Sequence, residues 1–433
     1  MYLDDVKDIV NNGKYFEDLY DTVWKLGENK KIQKKNYNGV KIGLFNTPCA
    51  GFGDIIVCKT FYDYLKAWYP GAKVTICTTT PVKYESLGIK GDIYKLYNKQ
   101  NDDDSECIEY DELILKKKIK FDIMLVIPII NKTFDIKVFQ KLIPYANVFN
   151  TFSVSEYNGE YPPYTFPIGV GKGNLGLMFS NIKLKKQIFV KKPYALVYIQ
   201  PSPEWGTHSK TCFISYLEMI CKKYSHRYPK FEVVIPDWIH GDINDNSQFY
   251  NRIKKIITKY YDNWNILYSD GENVPLVESD NKKKSLTFRA DVFPQPRELF
   301  VSLMKESVED ILVTGDQSLT DVLSCCKSHK NVWYQIAPWK KGLAYNLSKH
   351  LPNKYYSTFK TSCGTLRSIK TNIDWKNFLR EYDFRVKGKE RMDSILIGRD
   401  IMKTDKKLHD NLLKIIDGSR FLETAKNKID KLK

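Results

Sequence analysis

Two short apolar segments, each followed by a glycine turn and then by a helical pattern, constrain the fold of this chain most strongly. The first segment runs from Ile42 to Phe45 and precedes the turn at residues 49–54. The second runs from Ile311 to Val313 and precedes residues 314–318. Between a buried strand and a helix, free N–H groups and the helix dipole can hold a phosphate or a sugar. Two such turns at equivalent positions predict two α/β halves and a cleft built from facing domains.

The chain length and the order of its elements predict two domains. With 433 residues the chain exceeds the size at which one hydrophobic core keeps growing. Strands at Lys41–Asn46 and Lys73–Cys77 flank a helix at Asp54–Trp68, which is the pattern of a right-handed parallel unit. Phe121–Ile127 has the continuous apolar character of a central strand.

The second half repeats this pattern after a basic stretch at residues 183–192. Its predicted strands are Ala195–Ile199, Phe231–Ile235, Asp310–Val313 and Val332–Ile336, and its predicted helices are Phe213–Lys223, Arg297–Lys305 and Leu319–Cys326. We therefore expect a helical extension over residues 1–35, Rossmann-like domains over residues 36–185 and 186–374, and a helical tail over residues 375–433, packed on either domain.

The net charge of +17 and the nine cysteines bear on partners and compartment. The lysines form short dispersed runs without a zinc-finger or RNA-recognition signature, which favours a solvated surface over a nucleic-acid site. No apolar run is long enough for a membrane helix, and the first residues do not resemble a signal peptide. The odd number of scattered cysteines favours a reducing compartment, so we expect a cytoplasmic protein without stable membrane insertion.

Ligands of open α/β sheets bind at the carboxyl ends of strands, and four segments occupy such positions. In the first, Gly51 and Gly53 flank Phe52, so the backbone can approach a ligand closely. Asp54 then begins the helix, either as a cap or as a carboxylate that accepts a proton from an attacking hydroxyl. This is not a Rossmann fingerprint, because Ile56 stands where the third glycine would be.

The second segment, residues 200–211, has the mixture of groups that binds a diphosphate. Lys210 supplies a point charge, and Ser202, Ser209 and Thr211 supply hydroxyl donors. His208 is either a surface residue or a donor to an anion. The alternative is a loop that Thr211 caps. In the third segment, residues 237–241, Asp237 is equally a turn residue or a ligand contact.

The fourth segment, residues 314–321, is polar or glycine at every position but one. This composition favours ligand contact over capping by Ser318 and Asp321. The candidate contacts are Gly315, Asp316, Gln317, Ser318 and Thr320. Trp339 follows the next strand and either packs in the core or stacks on a base or sugar.

Acidic spacing favours a site without metal. Residues 102–104 contain an Asp-x-Asp spacing, and Asp242 and Asp245 are one residue wider. Both lie in polar, loop-like stretches, so we expect no metal and no bound cofactor apart from a co-substrate.

These residues resemble those of GT-B fold glycosyltransferases, and most closely those of the heptosyltransferase-like branch. In that branch a Gly-Asp pair opens the first helix, as Gly53-Asp54 does here, and a loop near an Asp-Thr-Gly sequence approaches the donor, as residues 314–318 do here. The resemblance implies an α/β fold of two facing Rossmann-like domains with helical N- and C-terminal extensions, over about 330 residues. Where the branch carries a His in its second loop, this chain has Thr320 or Asp321, which leaves the donor sugar open.

The resemblance also implies a function. The domain over residues 36–185 would bind the acceptor, with Asp54 as general base and residues 51–53 beside it. The domain over residues 186–374 would bind a nucleotide sugar, with Lys210 on the diphosphate and residues 315–320 on the donor. The acceptor is then a glycan, a protein or a small molecule. The abundance of Lys, Asn, Ile and Tyr resembles that of AT-rich genomes and fits a viral or protist-like member. A nucleotide-sugar epimerase and a non-catalytic protein that binds nucleotides or nucleic acid remain alternatives.

Overall fold

The chain divides into two compact units in the computed structural model. Unit 1 comprises Met1–Met178 and Glu381–Lys433, and unit 2 comprises Phe179–Arg380. The structure describes residues 37–49, 52–89, 91–98, 106, 108, 113–114, 119–129, 151–159, 165–201, 209–277, 283–326, 330–371 and 381–407. The helix predicted over residues 1–35 lies outside these ranges. Each unit contains a parallel sheet and helices, which confirms the predicted α/β class.

Unit 1 begins with alternating strands and helices, and the last described helix of the chain also belongs to it. They are β1 (Lys41–Asn46), α1 (Gly53–Trp68), β2 (Lys73–Thr78), α2 (Pro81–Ser86), β3 (Ile93–Lys95), β4 (Tyr97–Asn98), β5 (Leu113–Ile114), β6 (Ile123–Ile129), β7 (Thr151–Ser155), β8 (Thr165–Phe166) and, after unit 2, α9 (Phe384–Thr404).

The elements of unit 2 follow the same alternation. They are β9 (Tyr194–Tyr198), α3 (Ser209–Tyr224), β10 (Lys230–Val234), α4 (Asp237–Asp245), α5 (Ser247–Ile257), β11 (Asn263–Leu267), β12 (Asn273–Val277), β13 (Ser285–Arg289), α6 (Arg297–Glu306), β14 (Asp310–Thr314), α7 (Asp316–Cys325), β15 (Asn331–Gln335), α8 (Lys341–His350), β16 (Tyr356–Thr361) and β17 (Gly364–Lys370), with short 3-10 turns at Pro338–Lys340 and Asn353–Tyr355.

Within the described residues, the sheet of unit 1 has six parallel strands in the order β3-β2-β1-β6-β7-β8. Its central strands are apolar on both faces; in β1, for example, Leu44 is fully buried and Phe45, on the opposite face, packs with Leu96 and Phe121. The chain leaves β1 towards β2 and later returns to β6 on the other side of β1.

The part of unit 2 that the structure describes forms a sheet of nine strands in the order β12-β11-β13-β10-β9-β14-β15-β17-β16. The six strands from β11 to β15 in this order are parallel, and antiparallel strands extend the sheet at both edges. Every residue of β14 is buried. A core of aromatic and aliphatic side chains, among them Phe213, Phe249 and Phe288, lies against one face.

Helix α9 returns the chain to unit 1 and completes its core. The ring of Phe384 lies 5.4 Å from that of Phe61 and 6.4 Å from those of Phe166 and Trp68, centroid to centroid. The tail that the sequence leaves free to pack on either domain therefore packs on unit 1 where it is described.

Polar contacts fix the same helix. Tyr69 donates to Asp393 at 2.7 Å, while Arg399 and Lys403 donate to Asp122 at 3.1 and 2.9 Å. Partial burial raises the pKa of Asp122, but the Lys41 N–H and the two cations outweigh it and hold that pKa below its ordinary value.

Two predicted loops are helical. Helix α7 begins at Asp316 rather than at Leu319, so a single residue, Gly315, separates it from β14. Residues 237–241 form the first turns of α4 instead of a loop. In both places polar residues at the start of a helix resemble a loop in sequence, because the first turn of a helix favours the same residue types as a turn does.

Cysteine and membrane features were also predicted from sequence. Of the cysteines that the structure describes, seven are free thiols, and burial accounts for the raised pKa of about 12 at Cys326. Cys49 takes part in a disulfide bond, so the expectation of reduced cysteines does not hold at this position.

Among the described helices, none combines the length and the apolar character that crossing a membrane requires.

Candidate functional site

In both large sheets, among the described strands, the chain first adds strands on one side of its first strand and later on the other side. In unit 2 the point of this change, the switch point, lies between the carboxyl ends of β9 and β14, because β10 lies beyond β9 while β15 lies beyond β14. In unit 1 it lies between β1 and β6. Loops diverge at such a point and leave a crevice, which is where open α/β sheets bind ligands. Both glycine turns that the sequence singles out follow a strand of such a pair.

In unit 2 a single residue, Gly315, forms the turn between β14 and α7. Gly315 has a φ of 81° and is the N-cap of α7. A left-handed backbone of this kind strains any residue with a side chain. The next residue already belongs to the helix, so the N–H groups of its first turn have no intrahelical acceptor and lie at the carboxyl end of β14. This geometry suits an anion.

Asp316 is less accessible than the sequence suggests. Its side chain is only 7% exposed and forms an ion pair with Lys340 (Nζ to Oδ2, 2.8 Å). The hydroxyl of Tyr334 donates to its other oxygen at 2.9 Å. The carboxylate at the start of α7 is therefore compensated by a cation and a hydroxyl before any ligand binds.

Gln317 and Thr320 belong to a polar network with Arg297. Arg297 forms a bidentate ion pair with Asp321, with distances of 3.0 and 2.7 Å, and also donates to Ser180. The Gln317 amide nitrogen donates to Asp321 at 2.8 Å, to Ser180 at 3.1 Å and to Thr320 at 3.3 Å. Asp321 thus anchors α6 to α7 and does not cap the helix.

A glutamine that the sequence analysis missed joins three strand ends. Gln335, the last residue of β15, exchanges hydrogen bonds with the backbone of Gln200 at 3.0 and 3.1 Å. The Gln335 side chain also donates to the Ser209 hydroxyl at 2.8 Å, and the Thr314 hydroxyl donates to the backbone carbonyl of Gln335 at 3.0 Å. Ser209 is fully buried and so supports the loop from within. Only the position of Gln335 at the end of a strand signals this role in the sequence.

The remaining donor candidates of unit 2 are spread along this edge. Lys210 forms an ion pair with Asp242 at 2.9 Å and lies 5.5 Å from the ring of Phe249. Thr211 and Ser318 are half-buried in the first turns of α3 and α7. Ser202, His208 and the side chain of Trp339 lie outside the described residues. Asp242, half of a possible metal pair in the sequence, is therefore the partner of a lysine.

Replacing Gly315 with Ala is expected to lower the free energy of unfolding by about 1–3 kcal/mol, because a non-glycine residue is strained at this φ. A Cβ atom at this position meets nothing within 4 Å, so the loss comes from the backbone and not from a clash. Urea unfolding measures it. Gly241→Ala, inside α4 and equally open, is the matched control and is expected to be neutral or stabilising. Equal effects at both positions would contradict the argument.

In unit 1 the glycine turn presents an exposed aromatic ring and a carboxylate. Phe52 is 50% exposed and is the N-cap of α1, and Gly53 is its first residue. Asp54 is half-buried in the first turn, where its carboxylate accepts the backbone N–H of Cys49 at 3.3 Å. The Lys83 ammonium lies 5.2 Å from the centroid of the Phe52 ring. Gly51 lies outside the described residues.

Buried polar groups support this edge from below. The Tyr84 hydroxyl donates to Asn46 at 2.6 Å, and the Asn46 amide donates to the carbonyl of Ile127 at 2.7 Å, which joins α2, β1 and β6. Burial raises the pKa of Tyr84 well above its usual value and that of Cys58 to about 12. Both groups therefore stay protonated at neutral pH, and Asp54 remains the base that the sequence predicts for this edge.

Comparisons with known proteins give distant structural likenesses only. No protein-family model and no curated protein matches this chain. Among solved structures, the chain is similar to the N-terminal domain of trehalose-6-phosphate phosphatase from Candida albicans, with 10% identity over 89% of this chain and 99% of that chain and a TM-score of 0.36. It is also similar to MurG from Acinetobacter baumannii, with 7% identity over 85% and 99% and a TM-score of 0.35. A family 9 glycosyl transferase from Veillonella parvula has 8% identity over 75% and 93% and a TM-score of 0.33. Likenesses of this size carry no argument about activity, and the function is argued from the residues.

Proposed function

We propose that this protein is a glycosyltransferase that moves a sugar from a nucleoside diphosphate sugar to a hydroxyl group of an acceptor. The observation that carries the proposal is the position of both glycine turns at the switch point of their own parallel sheet. One turn offers helix N–H groups to an anion, and the other offers a carboxylate to a proton. Sugar transfer requires both groups: the leaving phosphate needs an anion site, and the acceptor hydroxyl needs a base for its proton.

The donor diphosphate is assigned to the start of α7. The free N–H groups that follow Gly315 and the helix dipole favour two negative phosphates. Asp316 does not oppose them, since Lys340 and Tyr334 compensate its charge. Lys210 is the second cation in this assignment. Its ion pair with Asp242 is partly exposed and therefore weak, so a phosphate can replace the carboxylate.

The proposed reaction is a displacement at the anomeric carbon of the donor. The acceptor oxygen forms a bond to that carbon, while the bond from the carbon to the phosphate oxygen breaks and the nucleoside diphosphate leaves with the electron pair. The acceptor proton passes to the carboxylate of Asp54. The charge of the leaving group is stabilised by the α7 amides and by Lys210, without a metal ion.

A ligand screen tests donor binding directly. The probes are UDP-, GDP-, ADP-, dTDP- and CMP-sugars, each with and without EDTA. A nucleotide sugar that occupies its site is expected to stabilise the protein by about 2.7 kcal/mol at a concentration of a hundred times its Kd. Chelation is expected to change nothing. Failure of every nucleotide sugar to raise the unfolding temperature would remove the proposal.

Variants of two lysines in unit 2 locate the bound donor. Lys340→Met leaves the carboxylate of Asp316 without its cation at the start of α7, so donor affinity is expected to fall about tenfold, or by about 1.4 kcal/mol. Lys360→Met removes an exposed charge on β16 and is the control of equal charge change. Isothermal titration calorimetry compares them. Equal losses in both variants would point to general electrostatics instead of the α7 site.

A further inference from the structure

A cavity of about 280 Å³ opens in unit 2 at the amino-terminal ends of strands, whereas the switch point lies at their carboxyl ends. It is lined by Tyr224, Arg227 and Tyr228 at the end of α3, by the turn that joins α6 to β14, and by Lys330 just before β15. These segments lie at the amino-terminal ends of the strands. The cavity is therefore separate from the proposed donor site, and nothing in the proposed reaction uses it.

Lys330 is the unusual residue of this cavity, because its side chain is buried and is held by neutral acceptors. The residue is 5% exposed, and its ammonium donates to the carbonyl oxygens of Ser307 and Val308, the latter at 3.0 Å. The Ser307 hydroxyl is 3.4 Å away. All three acceptors are neutral, and within the described part of the chain no carboxylate forms an ion pair with Lys330. Burial lowers the pKa of this lysine to about 8.

Asp310, a buried carboxylate that acts on Lys330 electrostatically, has other partners. Asp310 is completely buried and accepts hydrogen bonds from Lys223 and Tyr224 at 2.6 Å each, and from Trp333 at 2.8 Å. Its charge is therefore already matched. Glu309 and Asp310 favour the charged form of Lys330 electrostatically, but neither forms an ion pair with it within the described residues. An ammonium removed from water is stabilised most by an anion in direct contact, and the hydrogen bonds of Lys330 go to neutral oxygens instead.

The rest of the lining suits an anion that carries an organic group. Besides Lys330, the cavity is lined by Arg227 and Lys305, which are exposed at its rim, against the single carboxylate of Glu309. Tyr224 and Tyr228 stack with their centroids 6.0 Å apart, and the Arg227 guanidinium lies 5.2 Å from the centroid of Tyr228. Three basic groups thus surround a wall of two aromatic rings.

We propose that this cavity is a second binding site of the protein and that it takes a small phosphorylated molecule. The ammonium of Lys330, whose hydrogen bonds are already made, attracts the phosphate by its charge, while Arg227 and Lys305 donate hydrogen bonds to it. The organic group lies against Tyr228. A phosphate binds here by charge and hydrogen bonding to cations, and the aromatic wall adds apolar contact. The site does not depend on the proposed glycosyl transfer.

The test measures binding of two probes, inorganic sulfate and phenyl phosphate, by calorimetry and by chemical-shift changes. Saturable binding of phenyl phosphate is expected, with sulfate weaker because it lacks the ring. Lys330→Met is expected to reduce phenyl phosphate affinity at least about tenfold. Arg227→Gln, at an exposed position where folding is unaffected, is expected to reduce it less. Lys360→Met is the matched control and is expected to bind as the unmodified chain does.

The pH dependence gives a second readout. Sulfate keeps its charge through the neutral and alkaline range, so its affinity is expected to fall as pH rises through about 8, where Lys330 loses its proton. The charged and titratable groups around Lys330 are Glu309, Asp310, Cys326, Lys305, Lys223 and Arg227. In Lys330→Met this fall is expected to disappear. Unaltered affinity in Lys330→Met, or shifts that grow linearly without saturation, would overturn the proposal.

Discussion

Replacing Asp54 with Asn is expected to reduce glycosyl transfer by about 10²- to 10⁴-fold, the range that a general base contributes. The amide of Asn keeps the size of the side chain and can still accept the N–H of Cys49, so the turn before α1 is preserved. It cannot take a proton from the acceptor. Donor binding, which is assigned to unit 2, is expected to be unchanged. Initial rates with the donor identified by the ligand screen, together with calorimetry, measure the two effects separately.

Asp63→Asn is the control for this experiment. Asp63 lies in the same helix, is exposed and pairs with Lys59 one turn earlier, so its replacement removes one negative charge from α1 at a distance from the turn. This variant is expected to retain the rate of the unmodified chain. Normal turnover in Asp54→Asn would exclude Asp54 from the mechanism, and an equal loss in both variants would indicate an effect of charge alone.

Replacing Asp310 with Ala is expected to cost about 3–5 kcal/mol of the free energy of unfolding of unit 2. Asp310 begins β14 and is completely buried. Its two carboxylate oxygens accept hydrogen bonds from Lys223 and Tyr224 of α3, and from Asn331 and Trp333 of β15. Alanine leaves these donors without an acceptor, and the buried hydroxyl and indole have no water to replace it. Because the side chain of Lys223 is 35% exposed and partly recovers its hydration, we expect the lower end of this range.

Urea unfolding, followed by tryptophan fluorescence, measures this loss. Glu309→Ala removes the adjacent, exposed carboxylate and is expected to change stability by no more than about 0.5 kcal/mol. Asp310→Asn retains an acceptor oxygen, so its loss of stability is expected to lie between those of Asp310→Ala and Glu309→Ala. A loss below about 1 kcal/mol in Asp310→Ala would show that the network contributes little beyond ordinary side-chain hydrogen bonds.

Much of the fold follows from local sequence patterns. Continuous apolar segments such as Ile42–Phe45 and Ile311–Val313 lie in the central strands β1 and β14, because a strand covered on both faces cannot expose polar side chains. Helix α1 ends at Trp68, where Tyr69-Pro70-Gly71 predicts its end. The position of both glycine turns at strand ends also follows from this alternation.

The chemistry of individual side chains was less predictable, because it depends on partners that are distant in the chain. Asp316 and Gln317 look like ligand contacts in sequence. In the structure, however, Asp316 forms an ion pair with Lys340. Gln317 donates to Asp321, which also pairs with Arg297. The sequence marks Gln335 only by its place at the end of a strand, since its three partners meet it only when β9, β14 and β15 lie side by side. The burial of Lys330 could not be predicted from sequence for the same reason.

The return of helix α9 to unit 1 bears on the order in which the chain completes its units during synthesis. Unit 1 begins the chain, but the ring of Phe384 that packs on Phe61 is synthesised after the whole of unit 2. All residues of unit 2 have been made by Arg380. The ribosome therefore delivers a complete unit 2 while unit 1 still lacks part of its core, contrary to the usual order in which the N-terminal domain folds first. Until α9 emerges, the rings of Phe61 and Trp68 lack their contact with Phe384.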